Sequence, residues 1–198
     1  MNTKVSHILV VLSAFMAGLV VFLGVILYAT GQFGAAGPAR VVIGGPFKLI
    51  DQNNKPITDA DLKGKPYVVF FGYTHCPDVC PTTLFEMSEV LRALGKDVGG
   101  VNAVFITVDP ERDTPAALKD YLSAFDPHLT GATGSTEAVA AVEKEFRVYS
   151  KKIPTENGDY SMDHSAVVYL MDKDGRFVAP FNLKRKPEEA AADLRKYL

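Results

Sequence analysis

The chain has 198 residues, of which 47% are hydrophobic and 22% charged, with a formal net charge of -2 and a pI near 6.1. This length suits one domain of ordinary size with an appendage, and the composition excludes a disordered or fibrous protein. The nearly balanced charge gives no electrostatic reason to expect a nucleic-acid partner.

The N-terminal stretch Ile8–Tyr28 contains no charged residue and predicts a transmembrane helix. At about 1.5 Å per residue it is long enough for a bilayer core of roughly 30 Å. A cleaved signal peptide is the alternative, but its apolar region is usually only about 7 to 15 residues long and ends at a small-residue cleavage site. We therefore expect residues 1–29 to form an uncleaved membrane anchor.

The charges around this span indicate its orientation. Lys4 and the α-amino group precede it, whereas the next charge, Arg40, lies well beyond it. Basic residues favour the cytoplasmic side, and no arginine-rich transit segment precedes the span. We expect a single-pass protein of the bacterial inner membrane with its soluble part in the periplasm. The glycine- and alanine-rich residues 30–40 predict a flexible tether, and residues 41–198 are expected to form the soluble domain.

Strands and helices alternate in the soluble part. In chain order the patterns predict two short extended pieces in PFKLIDQNNKPIT, a buried strand in PYVVFFGY, a helix in TTLFEMSEVLRALG, a buried strand in VNAVFITVD, a helix in TPAALKDYLSAF, a loop at DPHLTG, a helix in STEAVAAVEKEFRV, two strands in SAVVYLMD and GRFVAPFN, and a last helix from Pro187. This order predicts a three-layer α/β domain whose central sheet is covered by helices on both sides.

The only two cysteines, Cys76 and Cys80, lie where a buried strand turns into a helix. Open α/β sheets commonly place their chemistry there, and a helix amino terminus lowers the pKa of a thiol. A disulfide across one helical turn would distort it, because the Cβ atoms would lie about 5 to 6 Å apart and a disulfide needs roughly 3.5 to 4.5 Å. A metal relaxes this demand, but two sulfurs leave it short of ligands. A chelate and a reversible, strained disulfide both stay open.

One of the four histidines is a candidate third ligand. His164 lies just before a buried strand with Asp163 beside it as a candidate partner, although the residues alone favour a structural role for it. His7 adjoins the membrane span, His128 lies in the predicted DPHLTG loop, and His75 is expected to point away from the neighbouring cysteine.

The charged residues 109–113 form a loop before the helix that begins at Pro115. Such a loop commonly needs a cap, here Asp113 or Thr114, and local ion pairs, so a structural role is favoured over catalysis. The basic residues 184–186 predict a solvated turn.

Three stretches in order resemble the Sco/SenC family of membrane-anchored copper chaperones. They are FGYTHCPDVCP with its Cys-x-x-x-Cys spacing, VDPERDTP at residues 108–115, and DYSMDHSAVVYLMDKDGRF at residues 159–177. The resemblance covers most of the soluble domain and implies a thioredoxin-like fold, a central mixed sheet flanked by helices. It also implies that copper is bound by two cysteines and one distant histidine, here Cys76, Cys80 and His164.

The resemblance further implies a carrier rather than an enzyme. Its acceptor would be the binuclear copper site of cytochrome c oxidase subunit II, and its other partner an upstream copper donor or a thiol reductant. Two thiolates and an imidazole suit Cu(I), whereas Cu(II) would need an added oxygen donor. Zinc fits the same ligands, so only the resemblance favours copper.

Another class of function uses the same cysteines. A thiol–disulfide oxidoreductase with Cys76 and Cys80 as its redox pair could reduce the copper-ligand cysteines of the oxidase subunit. The missing Cys-x-x-Cys motif and cis-proline argue against general redox exchange but leave a dedicated reductant open. A peroxidase is a third alternative, and copper-dependent redox signalling would use the same residues as delivery.

Overall fold

The structure, a computed structural model, describes residues 3–29, 42–156 and 158–198, with side chains from His7 onward. The chain divides into an N-terminal unit that ends at Val41 and a second unit, Val42–Leu198. The tether predicted over residues 30–40 lies outside the described residues.

The N-terminal unit contains a single described helix, α1 (Thr3–Ala29). Its residues His7–Ala29 have a mean hydropathy of 2.8, and none of them is buried. These 23 residues would extend about 35 Å, which exceeds the thickness of a bilayer core. Among the described helices, α1 alone is long and apolar enough to cross a membrane, as the uncharged stretch Ile8–Tyr28 predicts.

The second unit is built on a mixed sheet of seven strands in the order β2-β1-β5-β4-β3-β8-β9. The strands β3, β4 and β5 are parallel to one another, and the outer pairs are antiparallel. Their bounds are β1 Lys48–Asp51, β2 Pro56–Thr58, β3 Tyr67–Gly72, β4 Asn102–Thr107, β5 Leu129–Thr133, β8 Val168–Met171 and β9 Phe177–Pro180. The remaining two strands, β6 (Ser150–Pro154) and β7 (Tyr160–His164), form a separate antiparallel hairpin.

Among its described residues the second unit also has five helices and a 3-10 turn, the last helix following the last strand: α2 Asp59–Leu62, α3 Val79–Leu94, the 3-10 turn Gly95–Gly100, α4 Pro115–Leu122, α5 Thr136–Phe146 and α6 Pro187–Arg195. Helix α3 packs against α6, α4 packs on β5, and α5 packs on β1. The fold class predicted from the sequence, an α/β domain with a mixed sheet and flanking helices, is therefore correct.

Local sequence explains where the main elements begin. All six residues of β3 are buried, as its continuous apolar run predicts. Helix α4 begins with Pro115 at its first position, and the Thr114 hydroxyl accepts a hydrogen bond from the backbone N–H of Ala117. Of the two candidate caps, Thr114 is therefore the cap, which leaves Asp113 free for another role.

Two features differ from the sequence-based predictions. The prediction of a loop at DPHLTG is wrong in part, because Leu129 begins strand β5. This strand contains a glycine, Gly131, where a Cβ would lie 2.6 Å from the end of the Leu122 side chain of α4, so a larger residue would require that side chain to move. The β6–β7 hairpin was also missed, because β6 is almost wholly exposed and lacks the alternation of apolar and polar residues that indicates a strand.

Candidate metal centre

The two cysteines lie at the carboxyl end of the central strand β3. Cys80 is in the first turn of α3 and is 0% exposed, whereas Cys76 lies in the loop before the helix and is 8% exposed. The Cys76 Sγ accepts a hydrogen bond from the backbone N–H of Cys80, with 3.4 Å between the sulfur and the nitrogen. The sulfur therefore satisfies one of the unpaired N–H groups of the helix terminus, the role that an oxygen usually has in a helix cap.

A glycine leaves room for the buried cysteine. Gly72 ends β3, and a Cβ at this position would lie 2.8 Å from the Cys80 Sγ and 2.7 Å from the Phe105 ring. Any side chain at residue 72 would therefore displace the sulfur or the core ring beneath it. The absence of a side chain at Gly72 is what allows a thiol to lie directly on the end of the central sheet.

His164 brings an imidazole to the same place from the other side. It is the last residue of β7, and its Nε2 lies 3.5 Å from the Cys80 Sγ, although the two residues are 84 apart in sequence. Its Nδ1 lies 3.1 Å from the backbone carbonyl of Ser165. With the proton on Nδ1, that carbonyl accepts it, and Nε2 presents its lone pair toward the cysteines.

Aromatic rings hold the imidazole in its orientation. The rings of Tyr73 and His164 meet edge to face, with 5.7 Å between their centroids, and Phe70 contacts the imidazole from the sheet at 6.4 Å. Asp163 was a candidate partner of the histidine, but it is exposed, and the Ser165 carbonyl makes the contact instead. Neighbouring residues on a strand point to opposite faces, which explains why Asp163 cannot reach the same site.

The three side chains have a geometry that a metal ion can use. The sulfurs of Cys76 and Cys80 and a ring nitrogen of His164 all lie within 4.8 Å of one another. Metal–sulfur bonds are about 2.3 Å and metal–nitrogen bonds about 2.0 Å, so ligands around one ion lie roughly 4 Å apart. Side-chain adjustments of less than about 1 Å would therefore bring all three atoms onto one ion.

Burial shifts the pKa values of two of these groups in opposite directions. It raises the pKa of the Cys80 thiol, and hydrogen bonding and charge at the neighbouring Cys76 add to the increase. It lowers the pKa of His164 from its usual value of 6.5, which favours the neutral imidazole. The expectation that the helix terminus lowers the thiol pKa is therefore wrong for Cys80, because the loss of solvent outweighs the helix dipole. Without a metal, the thiol and the imidazole are both uncharged at neutral pH.

The other candidate residues lie outside the cluster. His75 is exposed, with its Nδ1 3.0 Å from the Thr74 hydroxyl, and His128 pairs with Asp126 at 2.7 Å. Neither histidine belongs to the cluster of Cys76, Cys80 and His164 among the described residues. The basic residues 184–186 include Arg185, which forms an ion pair with Asp193.

The charged loop at residues 109–113 has the structural role that the sequence favours. Asp113 is fully buried and accepts hydrogen bonds from Thr74 and Thr107, and Asp109 pairs with Arg112. Sequence analysis missed Thr74 and Thr107 because each contacts Asp113 only through the tertiary fold.

A thioredoxin-like domain with two cysteines and one histidine grouped at the end of its central strand is the class of protein that these observations define. Comparison with known proteins adds the family: the SCO1/SenC family model matches residues 35–198, and the chain belongs to that family.

Individual relatives agree with this assignment. The chain is 41% identical over 158 residues to an SCO2-like protein of Rickettsia conorii, covering 79% of this chain and 77% of the relative. Bradyrhizobium japonicum ScoI, solved with copper bound, is 69% identical and has a TM-score of 0.78, covering 79% of this chain and 99% of that chain. Yeast Sco1 with copper bound is 36% identical and has a TM-score of 0.72, covering 79% and 88%.

Proposed function

We propose that this protein is a membrane-anchored copper chaperone that binds copper through Cys76, Cys80 and His164 and delivers it to the binuclear copper site of cytochrome c oxidase subunit II. The observation that supports this proposal most directly is the cluster itself. Two sulfurs and one imidazole nitrogen, from segments 84 residues apart, lie within 4.8 Å of one another.

The donor set favours copper over harder ions. Thiolate and imidazole are ligands that Cu(I) prefers, and three of them complete a three-coordinate site. Zinc would accept the same atoms with a water as fourth ligand, so the preference for copper comes from the relatives solved with copper bound. Among the described residues, no further histidine, cysteine or carboxylate joins the cluster, so Cu(II) would take its additional ligand from elsewhere.

Delivery requires a site that binds copper and can also release it. A three-coordinate ion has room for an incoming thiolate, so the acceptor can bind the copper before the ligands of this protein dissociate from it. His164 is only half-buried, whereas Cys80 is fully buried. We infer that the acceptor approaches from the side of the imidazole and that His164 is the first ligand to leave.

The membrane anchor fits an acceptor that is itself in the membrane. With α1 in the bacterial inner membrane, the copper-binding domain would lie in the periplasm beside the oxidase. An upstream periplasmic copper donor would load the protein with copper, or a thiol reductant would keep both cysteines reduced so that copper can bind.

A transfer experiment tests the proposal. The full chain in detergent is loaded with one equivalent of Cu(I) and mixed with the metal-free copper domain of subunit II, and copper is measured in each protein after separation. We expect copper to move to the acceptor from the wild type. Absence of copper binding, or copper that stays with this protein in the presence of excess acceptor, would contradict the proposal.

A thiol–disulfide oxidoreductase is the second candidate, because both cysteines are free and adjacent. In that reaction the Cys76 and Cys80 thiols would form a disulfide while a disulfide of the acceptor becomes two thiols. Cys80 is poorly suited to attack, since it is fully buried and its pKa is raised, which leaves Cys76 as the nucleophile. Reduction of oxidised subunit II by the metal-free protein, without copper transfer in the first experiment, would favour this candidate.

A further inference from the structure

The charged loop between β4 and α4 contacts both segments that carry the proposed ligands. We call residues 109–113 the clamp loop. One end of the loop is bound to the segment that carries the cysteines, and the other end is bound to the hairpin that carries the histidine. None of its side chains belongs to the metal cluster itself.

Asp113 fixes the cysteine side of the site. Its carboxylate accepts hydrogen bonds from the Thr74 backbone N–H at 3.0 Å and from the Thr74 hydroxyl at 2.6 Å. The Thr107 hydroxyl, at the end of β4, donates a third at 2.6 Å. Because Thr74 is two residues before Cys76, these bonds fix the backbone that places the first sulfur.

Arg112 fixes the histidine side. Its guanidinium donates to the Tyr160 backbone carbonyl at 2.9 Å and to the Asp159 carboxylate at 3.2 Å. It also lies over the Tyr160 ring, 3.8 Å from the ring centroid, and pairs with the buried Asp109. The Tyr160 hydroxyl donates to the same Asp109 at 2.9 Å, so the ring is held at both its face and its tip.

The hairpin depends on such contacts because it lies outside the central sheet. Among the described strands, β6 and β7 pair only with each other, and Met162 is the buried side chain of β7. Tyr160 and His164 are the two ends of β7, roughly 13 Å apart at about 3.3 Å per residue. The guanidinium therefore holds the end of the strand opposite to the imidazole, and so fixes the direction in which the strand presents His164.

Stability alone is a weak explanation for this arrangement. The Arg112 side chain is 16% exposed and its Asp109 partner is 0% exposed, and removing such charges from water offsets most of their attraction. The Arg112 Nη2 is also buried, and it has no hydrogen-bond partner among the described residues. A buried guanidinium with several fixed partners is better suited to defining one geometry than to stabilising the fold.

We propose that the clamp loop is a positioning element of the copper site, in which Arg112 holds the β6–β7 hairpin so that His164 stays over the cysteine pair. This inference rests on the proposed function, because it takes these three residues to be the copper ligands. Arg112 does not touch the copper and acts only through the strand that carries the imidazole.

The test compares Arg112→Gln with the wild type, both as full chains in detergent. In the metal-free proteins we expect amide hydrogen exchange in residues 160–164 to be about tenfold faster in the variant, with exchange in β3 and β4 unchanged. Competition with a Cu(I) chelator should show an affinity about tenfold lower. In a His164→Ala background the same substitution should change the affinity by less than about twofold, because the two residues act through one contact.

Arg195 offers a matched control. Its guanidinium also joins a carboxylate and a backbone carbonyl of other elements, Asp97 at 2.9 Å and Ala93 at 2.9 Å. Ala93 is near the far end of α3, about 20 Å from Cys80 along the helix. Arg195→Gln should therefore leave both the hairpin exchange and the copper affinity unchanged.

Different results would overturn the two proposals separately. Unchanged hairpin exchange in Arg112→Gln would overturn the clamp, whatever the copper affinity of the wild type. An equal loss of affinity in the His164→Ala background would overturn it as well, because Arg112 would then act through the cysteines or the whole fold. A wild-type protein that binds no Cu(I) would contradict the proposed function instead.

Discussion

The two segments that form the candidate metal centre are built in different ways. Cys76 follows the central strand β3, all of whose residues are buried, and Cys80 lies in the first turn of the long helix α3. His164 lies at the end of a two-stranded hairpin that pairs with no strand of the central sheet. Half of the site therefore belongs to the core, and half is carried by a hairpin outside the central sheet.

This difference suits the proposed function, which requires the protein both to hold and to release an ion. Core side chains are close-packed and resist displacement, so the sulfurs form the fixed side of the site. A hairpin whose Tyr160 is bound by Arg112 and Asp109 can shift without breaking the ladder of the central sheet. Copper bound between the two sides could then exchange the imidazole for a ligand of the acceptor while both sulfurs stay in place.

Removing a ligand from the fixed side should have the largest effect. In Cys80→Ser a hard hydroxyl replaces a soft thiolate, and we expect Cu(I) affinity to fall by about 4 kcal/mol, on the order of a thousandfold. Chelator competition measures the affinity, and thermal unfolding of the metal-free protein verifies that the domain is folded. A loss smaller than that of His164→Ala would contradict the division into a fixed and an adjustable side.

Removing the ligand on the adjustable side should have a smaller effect. His164→Ala deletes a neutral imidazole and leaves both sulfurs, so we expect Cu(I) affinity to fall by about 2 to 3 kcal/mol, roughly 30- to 150-fold. The fold should be preserved, because the ring is only half-buried.

His75→Ala is the matched control for that substitution. His75 is adjacent to Cys76 in sequence, but its side chain is 53% exposed, and it lies outside the metal cluster. Its removal should leave the affinity within about twofold of the wild type, since surface side chains contribute little. Unchanged affinity in His164→Ala, or an equal loss in His75→Ala, would show that the assigned histidine is not the ligand.

The same division determines what the sequence could predict. The cysteine side is local: a buried apolar run, two cysteines and a helical pattern follow one another within residues 67–94, and all are found where they were expected. The histidine side is not local. Nothing in the residues around His164 indicates contact with Cys80, and only the family resemblance placed them together. The exposed strand β6 has no apolar pattern, so the hairpin itself was missed.

Even on the cysteine side, where the sequence predicts the strand and the helix, the direction of the thiol pKa shift could be found only from the structure. A helix amino terminus should lower the pKa of a thiol, and the sequence places Cys80 at such a terminus. The structure buries that thiol fully, and burial raises its pKa instead. Sequence reveals that a residue starts a helix, but how much solvent reaches it depends on the packing of residues such as Phe105 that are distant in the chain.

The pH dependence of copper affinity separates the two sides by a smaller effect. Burial keeps the Cys80 thiol protonated in the metal-free protein at neutral pH, and the thiol must lose its proton to bind copper. Each proton released makes the affinity rise about tenfold per pH unit, so between pH 7 and 8 we expect at least that slope. Chelator competition at several pH values, corrected for the titration of the chelator, measures it.

The histidine should contribute nothing to that slope. Its pKa lies below the usual value of 6.5, so the imidazole is already neutral at pH 7 and releases no proton when copper binds. His164→Ala should therefore bind copper more weakly, but its affinity should depend on pH with the wild-type slope. In Cys80→Ser the number of protons released on copper binding, and so the slope, should fall by about one. A slope near zero in the wild type would mean that Cys80 is already a thiolate before copper arrives. The helix terminus would then outweigh burial, and the fixed side of the site would be charged rather than neutral.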